Sequence, residues 1–241
     1  YCDITGSDIA GLNLSSPANQ FQTSNGSVEI GYGQCQPSTT FGADSTTEFG
    51  SIILDKNGCQ LTFSSNHSNY KIKNLILDKS TVLNLSAGDY WVENFTVTGG
   101  SPNINIAGDV RFFVKNTINI SGALKFNASG AGELLFLGYS NIALNTSNID
   151  INAYIYSDAE VTINGTNTIW GRITSRKLTV NDDSKIIGGS NLQLSFGKAT
   201  STSVVFDEAF SAGVTPLVFL MPTISSSSTN ADGPASVFLS N

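Results

Sequence analysis

Residues 70–89, YKIKNLILDKSTVLNLSAGD, align without a gap with residues 90–109, YWVENFTVTGGSPNINIAGD. Tyr70 meets Tyr90, Ile72 meets Val92, Asn74 meets Asn94, Leu75 meets Phe95, Leu77 meets Val97, and Gly88-Asp89 meets Gly108-Asp109. A third block, VRFFVKNTINISGALKFNAS, begins at Val110, and weaker copies follow near 133–153, 154–171 and 172–190. A fixed internal period is the signature of a repeat architecture, in which each unit buries its apolar face only against its neighbours.

The period inside each block is two. Leu75/Leu77, Ile104/Ile106, Ile118/Ile120, Ile142/Leu144, Ile149/Ile151, Val161/Ile163 and Leu178/Val180 alternate with polar residues, and Gly, Asn, Asp or Ser closes each stretch. Such alternation marks strands with one buried face, and the closing residues mark corners. Short strands, corners and a period of about 20 residues predict an all-β fold built on a parallel β-helix (a β-solenoid). The crossover rule for parallel strands makes it right-handed. At roughly 3.3 Å per residue each coil has a perimeter of about 66 Å, and six coils give a rod of about 29 Å. The rival, a β-sandwich of hairpins, needs two-residue turns between matched strands, and Asn164-Gly165 is the one good example.

Three regions follow: an N-terminal cap at 1–69, the solenoid at 70–190, and a C-terminal antiparallel, sandwich-like β-module at 191–241. Open solenoid ends template aggregation unless covered. Residues 1–69 carry one Lys and six acids, whereas 70–190 balance ten bases against ten acids. The stretches LQLSFG, TSVVFDEAF and TPLVFLMPTI read as strands of the last region, and the chain stops inside an alternating stretch at Asn241. That pattern suggests a module continued elsewhere in a longer protein or completed by a partner strand. Tyr1 is expected to follow a processing or cloning boundary, with no signal peptide visible.

Composition narrows the function classes. Charged residues are 13% of the chain, hydrophobic residues 40%, and the net charge is −7. The excess of acid argues against phosphate-neutralising nucleic-acid binding and against anionic membrane surfaces. No apolar run approaches the roughly 18–20 residues of a membrane span, so no membrane insertion is expected. Cys2, Cys35 and Cys59 form no CxxC, and a single histidine, His67, makes no zinc set with them. An extracellular disulfide is the better reading, as Cys35–Cys59 or Cys2–Cys35.

Few residues carry catalytic chemistry. His67 reads as a solvent-exposed turn residue, and neither GxSxG nor a phosphate loop occurs. A polysaccharide lyase or hydrolase requires clustered carboxylates and a basic residue. Asp182-Asp183 with Lys185 is the tightest acidic pair in the repeats, Arg172 and Arg176-Lys177 lie half a coil away, and Asp207-Glu208 lies beyond. Each reads first as a solvated corner or wall. Tyr90, Trp91, Tyr154, Tyr156 and Trp170 are candidate glycan-stacking aromatics, weighed against corner and cap packing. Thr96/Thr98 shows the Thr-x-Thr spacing, too little for an ice-binding array. Nine Asn-x-Ser/Thr sequons, at Asn13, Asn25, Asn66, Asn84, Asn94, Asn119, Asn127, Asn145 and Asn164, follow from composition. No cofactor and no metal site is called for.

The segments AGDYWVENFTV, DVRFFVKNTINISG and IDINAYIYSDAEVTINGTNTIWGRITSRKLTVND together resemble the β-helical region of MshQ-type proteins. These are large envelope proteins associated with the mannose-sensitive haemagglutinin (type IV) pilus of Gram-negative bacteria. Gly88-Asp89-Tyr90 matches the segment that opens a coil, and Ile155–Val180 matches two further coils. The tail VVFDEAFSAGVTPLVFLMPTI is similar to the β-module that follows in that family and to H-type lectin sandwiches. The resemblance spans about residues 50–241 and carries no catalytic residues. It implies an extracellular or cell-surface bacterial protein, structural or adhesive and not an enzyme. Its implied partners are copies of itself, pilus or envelope proteins, and surface glycans. A self-assembling filament subunit is the alternative, and a polysaccharide lyase or hydrolase the lesser one.

Overall fold

Strands that expose one face and bury the other must stack so that equivalent residues meet, and parallel coil-on-coil pairing does this at every turn. The computed structural model describes residues 20–24, 28–31, 33–34 and 38–188. Among them every strand pairing is parallel, and coils about 21 residues apart form a β-solenoid of about seven turns. At about 4.8 Å per coil the rod is about 34 Å long.

Three walls enclose the core. The first stacks residues 48–49, 70–72, 89–92, 110–114, 134–138, 154–157 and 172–175. The second stacks 51–54, 74–77, 94–97, 118–120, 142–145, 161–164 and 178–180. The third stacks 39–41, 60–63, 82–86, 103–106, 124–126, 149–151, 168–170 and 185–187. Single strands turn the corners: Val82–Gly99 runs 18 residues through all three walls.

The interior is a column of fully buried rings and branched aliphatics. Tyr70 and Tyr90 stack at 5.3 Å, and Phe112, Phe126 and Phe136 continue the column. Tyr90 is inside because its hydroxyl has partners there: it donates to the Ser86 carbonyl at 3.0 Å and lies 3.1 Å from Ser86 Oγ. Burial pushes both tyrosine phenols above their ordinary value.

The gapless match of blocks one and two holds in space only from Tyr70↔Tyr90 to Leu77↔Val97. A bulge then pairs Asp78 with Gly99, so that Asn84 meets Asn105 and Leu85 meets Ile106. The slip keeps Leu85 and Ile106 in the core; the gapless alignment of Leu85 with Asn105 would turn an amide inward. A second slip before Gly88 aligns Asp89 with Arg111, not with Asp109.

The N-terminal boundary moves. The region 1–69 was expected to be a separate cap, but Val28–Ile30, Thr39–Phe41, Glu48–Leu54 and Gln60–Phe63 are coils of the same stack. Asn74 bonds to Ser51 across 23 residues and Asn84 to Thr62 across 22, whereas Asn94 bonds to Asn74 across 20. The early coils have longer corners, which a comparison at a fixed spacing of 20 misses. The expected module at 191–241 lies outside the described residues.

One corner is a column of small residues. Gly88, Gly132 and Gly171 stand where the third wall turns into the first, and a Cβ on Gly171, at φ 131°, would lie 2.1 Å from the Ala153 carbonyl oxygen. Gly171→Ala is expected to lower the urea midpoint by the equivalent of at least about 1–3 kcal/mol. Gly58→Ala, also at positive φ but with nothing within 4 Å of the added methyl, is the milder control. Equal midpoints for the two variants would refute the tight corner.

Candidate functional site

The outward side chains of the first wall form two columns. One runs Glu48, Lys71, Trp91, Phe113, Leu137, Tyr156, Thr174; the other runs Asp89, Arg111, Leu135, Tyr154, Arg172. Both begin charged and become apolar and aromatic midway along the rod. The charged rungs pair: Arg111 grips Asp89 through two bonds of 2.6 Å, and Lys71 lies 3.4 Å from Glu48. The apolar rungs form a second hydrophobic cluster outside the core, containing Phe113, Leu135, Leu137, Tyr154 and Tyr156 with Trp91 and Tyr139 beside them.

Phe21 belongs to that cluster although it lies far away in sequence. Its ring meets Trp91 edge-on at 5.4 Å and Tyr139 edge-on at 5.6 Å, while Trp91 stacks on Phe113 at 4.0 Å. Such aromatic pairs contribute about 0.5–1.5 kcal/mol each beyond area burial. Three residues on, the Ser24 N–H donates to Glu48 Oε2 at 2.6 Å. Residues 21–24 therefore form a strap across the first wall, running towards the N-terminal coils as the chain advances. Burial pushes the Tyr139 phenol up to about 12, with the neighbouring Tyr156 adding to it. Burial also raises Tyr154, whose ring faces the Arg172 guanidinium at 5.8 Å.

The five candidate glycan-stacking aromatics do not share one face. Tyr90 points into the core, because adjacent strand residues face opposite sides. Trp91, Tyr154 and Tyr156 share the first wall, beneath or beside the strap cluster. Trp170 is the exposed one, at 43%, on the third wall beside Asn152 and Ile187. The partners that sequence reasoning missed are Phe21, Phe113, Leu135, Leu137 and Tyr139. The signal of Phe113, Leu135 and Leu137 is the loss of alternation in RFFV and ELLFLG, where consecutive apolar residues mean that both faces are covered.

The other walls carry amide ladders. Asn116 donates to Asn94, Asn94 to Asn74, and Asn74 to Ser51, at 2.7, 2.8 and 3.0 Å. A second ladder runs Asn181, Asn164, Asn145, Asn119 at 2.6, 2.8 and 3.0 Å, and a third runs Asn105, Asn84, Thr62. In each, the later coil donates to the earlier one. These ladders absorb the sequons at Asn84, Asn94, Asn119, Asn145 and Asn164. Asn127 is buried at a left-handed corner, Asn66 donates to the Ala43 carbonyl, and Asn13 and Asn25 lie outside the described residues.

The lyase-type candidates are drawn apart. Asp182, at φ 64°, accepts from the Gly165 N–H at 2.9 Å in a corner turn, and Asp183 beside it is exposed. Arg176 pairs with Asp158 at 3.0 Å and Lys177 with Glu160 at 2.9 Å, so neither faces Asp182. Asp207-Glu208 lie outside the described residues. His67 is half-buried, not fully exposed; its Nε2–H donates to the Asp44 carbonyl, and it lines an open depression with Glu48, Asn69 and Lys71. Among the described residues no group of His, Cys, Asp and Glu is placed to hold a metal ion. Thr96 sits between Ile76 and Asn119, so its column is no threonine array. No helix of the described residues is long and apolar enough to cross a membrane.

Cys59 is buried and disulfide-bonded. That sets aside Cys2–Cys35, which leaves Cys59 without a partner. Cys2 and Cys35 themselves lie outside the described residues. Comparison with protein-family models, curated proteins and solved structures finds no match.

Two tests follow. The Gly33 N–H donates to Asp55 Oδ2 at 2.8 Å and Lys56 Nζ donates to the Gly33 carbonyl, so the chain two residues before Cys35 lies against the turn before Cys59. Non-reducing peptide mapping is expected to join Cys59 to Cys35; a Cys2–Cys59 peptide would overturn this. The strap also responds to acid. Ser24, through its side chain and N–H, and then Lys71 hold the Glu48 carboxyl below its ordinary 4.5. A depressed folded value means that the stabilisation is complete above 4.5 and is lost as pH falls through the lowered value. With Trp170→Phe leaving Trp91 as sole tryptophan, Trp91 emission is expected to shift red in that acid window, and Glu48→Gln to remove the transition. An unchanged transition in Glu48→Gln would separate Glu48 from the strap.

Proposed function

We propose that this protein is an extracellular structural or adhesive rod of a bacterial surface assembly, acting by binding and spacing and not by catalysis. The observation that carries the reading is the use of the outer side chains. Asn74, Asn94 and Asn116 on one line, and Asn119, Asn145, Asn164 and Asn181 on another, are committed to bonds between coils. Lys71, Arg111, Lys115, Arg176 and Lys177 each pair with an acid on the preceding coil. Such walls are stiff, regular and polar, which suits a spacer or a repetitive contact surface. The disulfide at Cys59 fits an oxidising, extracellular setting. The resemblance to MshQ-type proteins of pilus-bearing Gram-negative bacteria points the same way.

On this reading the contacts are with pilus or envelope proteins, with surface glycans, or with other copies of the chain. Trp170 is the aromatic ring available for sugar stacking on the described walls. The test is a glycan array run with the wild type and Trp170→Ala, alongside electron microscopy of the purified protein. Binding to a defined glycan without turnover, reduced severalfold in Trp170→Ala, is the expected result. Ordered filaments with a subunit repeat near the rod length would shift the reading to a self-assembling polymer. Cleavage of the bound polysaccharide would sink it in favour of an enzyme.

A further inference from the structure

Among the described residues, every ion pair that joins two coils runs the same way. Lys71, Arg111, Lys115, Arg176 and Lys177 each reach an acid on the coil before them. On the third wall the order of the signs is reversed. Lys125, Asp150, Thr168 and Lys185 stand in one outward column, in that order along the rod. One coil before Lys125 is Asn103, and one coil before Lys185 is Thr168, so neither lysine has an acid behind it. Both are exposed, and neither forms an ion pair among the described residues. Asp150 is in register with Lys125 without pairing to it, and its Oδ1 is buried with no hydrogen-bond partner. Trp170 stands beside this column. It lies two residues on from Thr168, on the same face and about 7 Å aside, with Ile187 on the next coil. Its ring is the exposed large hydrophobic side chain of the described residues.

We propose that this part of the third wall binds an acidic polysaccharide, with Trp170 stacked on a sugar ring and Lys125 and Lys185 pairing with carboxylates of the polymer. The proposal rests on the glycan-binding reading above and fixes the class of glycan. A sugar ring has a flat C–H face that an exposed indole covers. An ammonium group with no acid of its own keeps its donors for a ligand, whereas a paired lysine must first give up a contact within the protein. Lys125 and Lys185 lie three rungs apart, about 14 Å, and Trp170 is on the rung next to Lys185. A chain laid along the rod therefore meets both charges and the ring together, and the separate weak contacts reinforce one another. Asp150 adds selectivity. It repels an anion on the rung after Lys125, so charge on the polymer is favoured at the two lysine rungs and disfavoured between them. A neutral polymer gains the ring and leaves both ammonium groups unused.

Calorimetric titration of the full chain tests this, with alginate and polygalacturonate as probes, each beside its carboxyl-reduced, neutral counterpart. The acidic form is expected to bind severalfold more tightly than the neutral one, with the difference shrinking as salt is raised. Lys125→Gln/Lys185→Gln is expected to abolish that difference, and Trp170→Ala to weaken binding of both forms. Asp150→Asn is expected to tighten binding of the acidic form severalfold. Lys73→Gln, which removes an exposed charge at the corner between the first and second walls, is the control and is expected to change nothing. An unchanged urea midpoint certifies the fold of each variant. Equal affinity for acidic and neutral forms, or an equal loss in Lys73→Gln, would overturn the acidic site and leave the adhesive reading standing. Binding of neither form would overturn the site as well, and electron microscopy then decides the reading on which it rests. Cleavage of the acidic polymer, with the dependence on Lys125 and Lys185 intact, would support the site and overturn the non-enzymatic reading.

Discussion

Parallel in-register stacking of one coil on the next is the constraint on which every other feature of this rod depends. Backbone pairing sets neighbouring coils about 4.8 Å apart and brings like positions into columns. A column is a severe environment, because whatever one residue does, its neighbours above and below must do as well. Asparagine suits an outer column, since its amide donates upward and accepts from below without net charge, as Asn94 does between Asn74 and Asn116. Charge is tolerated only where sign alternates, as at Asp89 and Arg111. At the corner, Gly88, Gly132 and Gly171 leave no room for a side chain, because the preceding coil's backbone occupies its place.

The same constraint makes the first wall unusual. A strand whose inward residues are Phe112 and Phe136 has already buried its apolar face. The outward Phe113, Leu135 and Leu137 ask for a second cover. Phe21 supplies part of it, and the strap on which it rides is held at Glu48 by Ser24, whose N–H donates to the carboxylate. The rod therefore has two kinds of cohesion. Coil-to-coil pairing is local and repeats. The strap links coils distant in sequence, and a quasi-one-dimensional stack gains cooperativity from such a tie.

How much of this was legible follows from where the column logic is visible one residue at a time. The coil, the alternation and the core could be read from 70–97, because there the match between Tyr70 and Val97 is gapless in space as well as in sequence. Beyond Gly99 corners gain and then lose residues, so a fixed period fails, and the coils before Tyr70 look like a separate cap for the same reason. The sequons were read as compositional, and the ladders give the physical account. An outward polar position recurs every second residue, so Asn followed two places on by Ser or Thr is what an amide column on a strand looks like. Of the candidate aromatics, Tyr90 and Trp91 are separated by period two, which sends neighbours to opposite faces, and corner and core packing takes Tyr90. Phe21 had no signal at all in a local reading, since its partners come from coils some seventy to one hundred and thirty residues away.

A surface made of columns also bears on what kind of ligand it suits. Each rung offers a weak, repeated contact, and Lys115, Arg176 and Lys177 are each spent on an acid one coil back. A compact ligand meets one or two such rungs and gains little. A partner that repeats along the rod engages many rungs at once, and its affinity rises through effective concentration without any single strong contact. That argument favours extended partners for the proposed surface role, a polysaccharide chain or the side of another filament. Trp170 is then a point that fixes register on a wall whose other contacts are nearly equivalent.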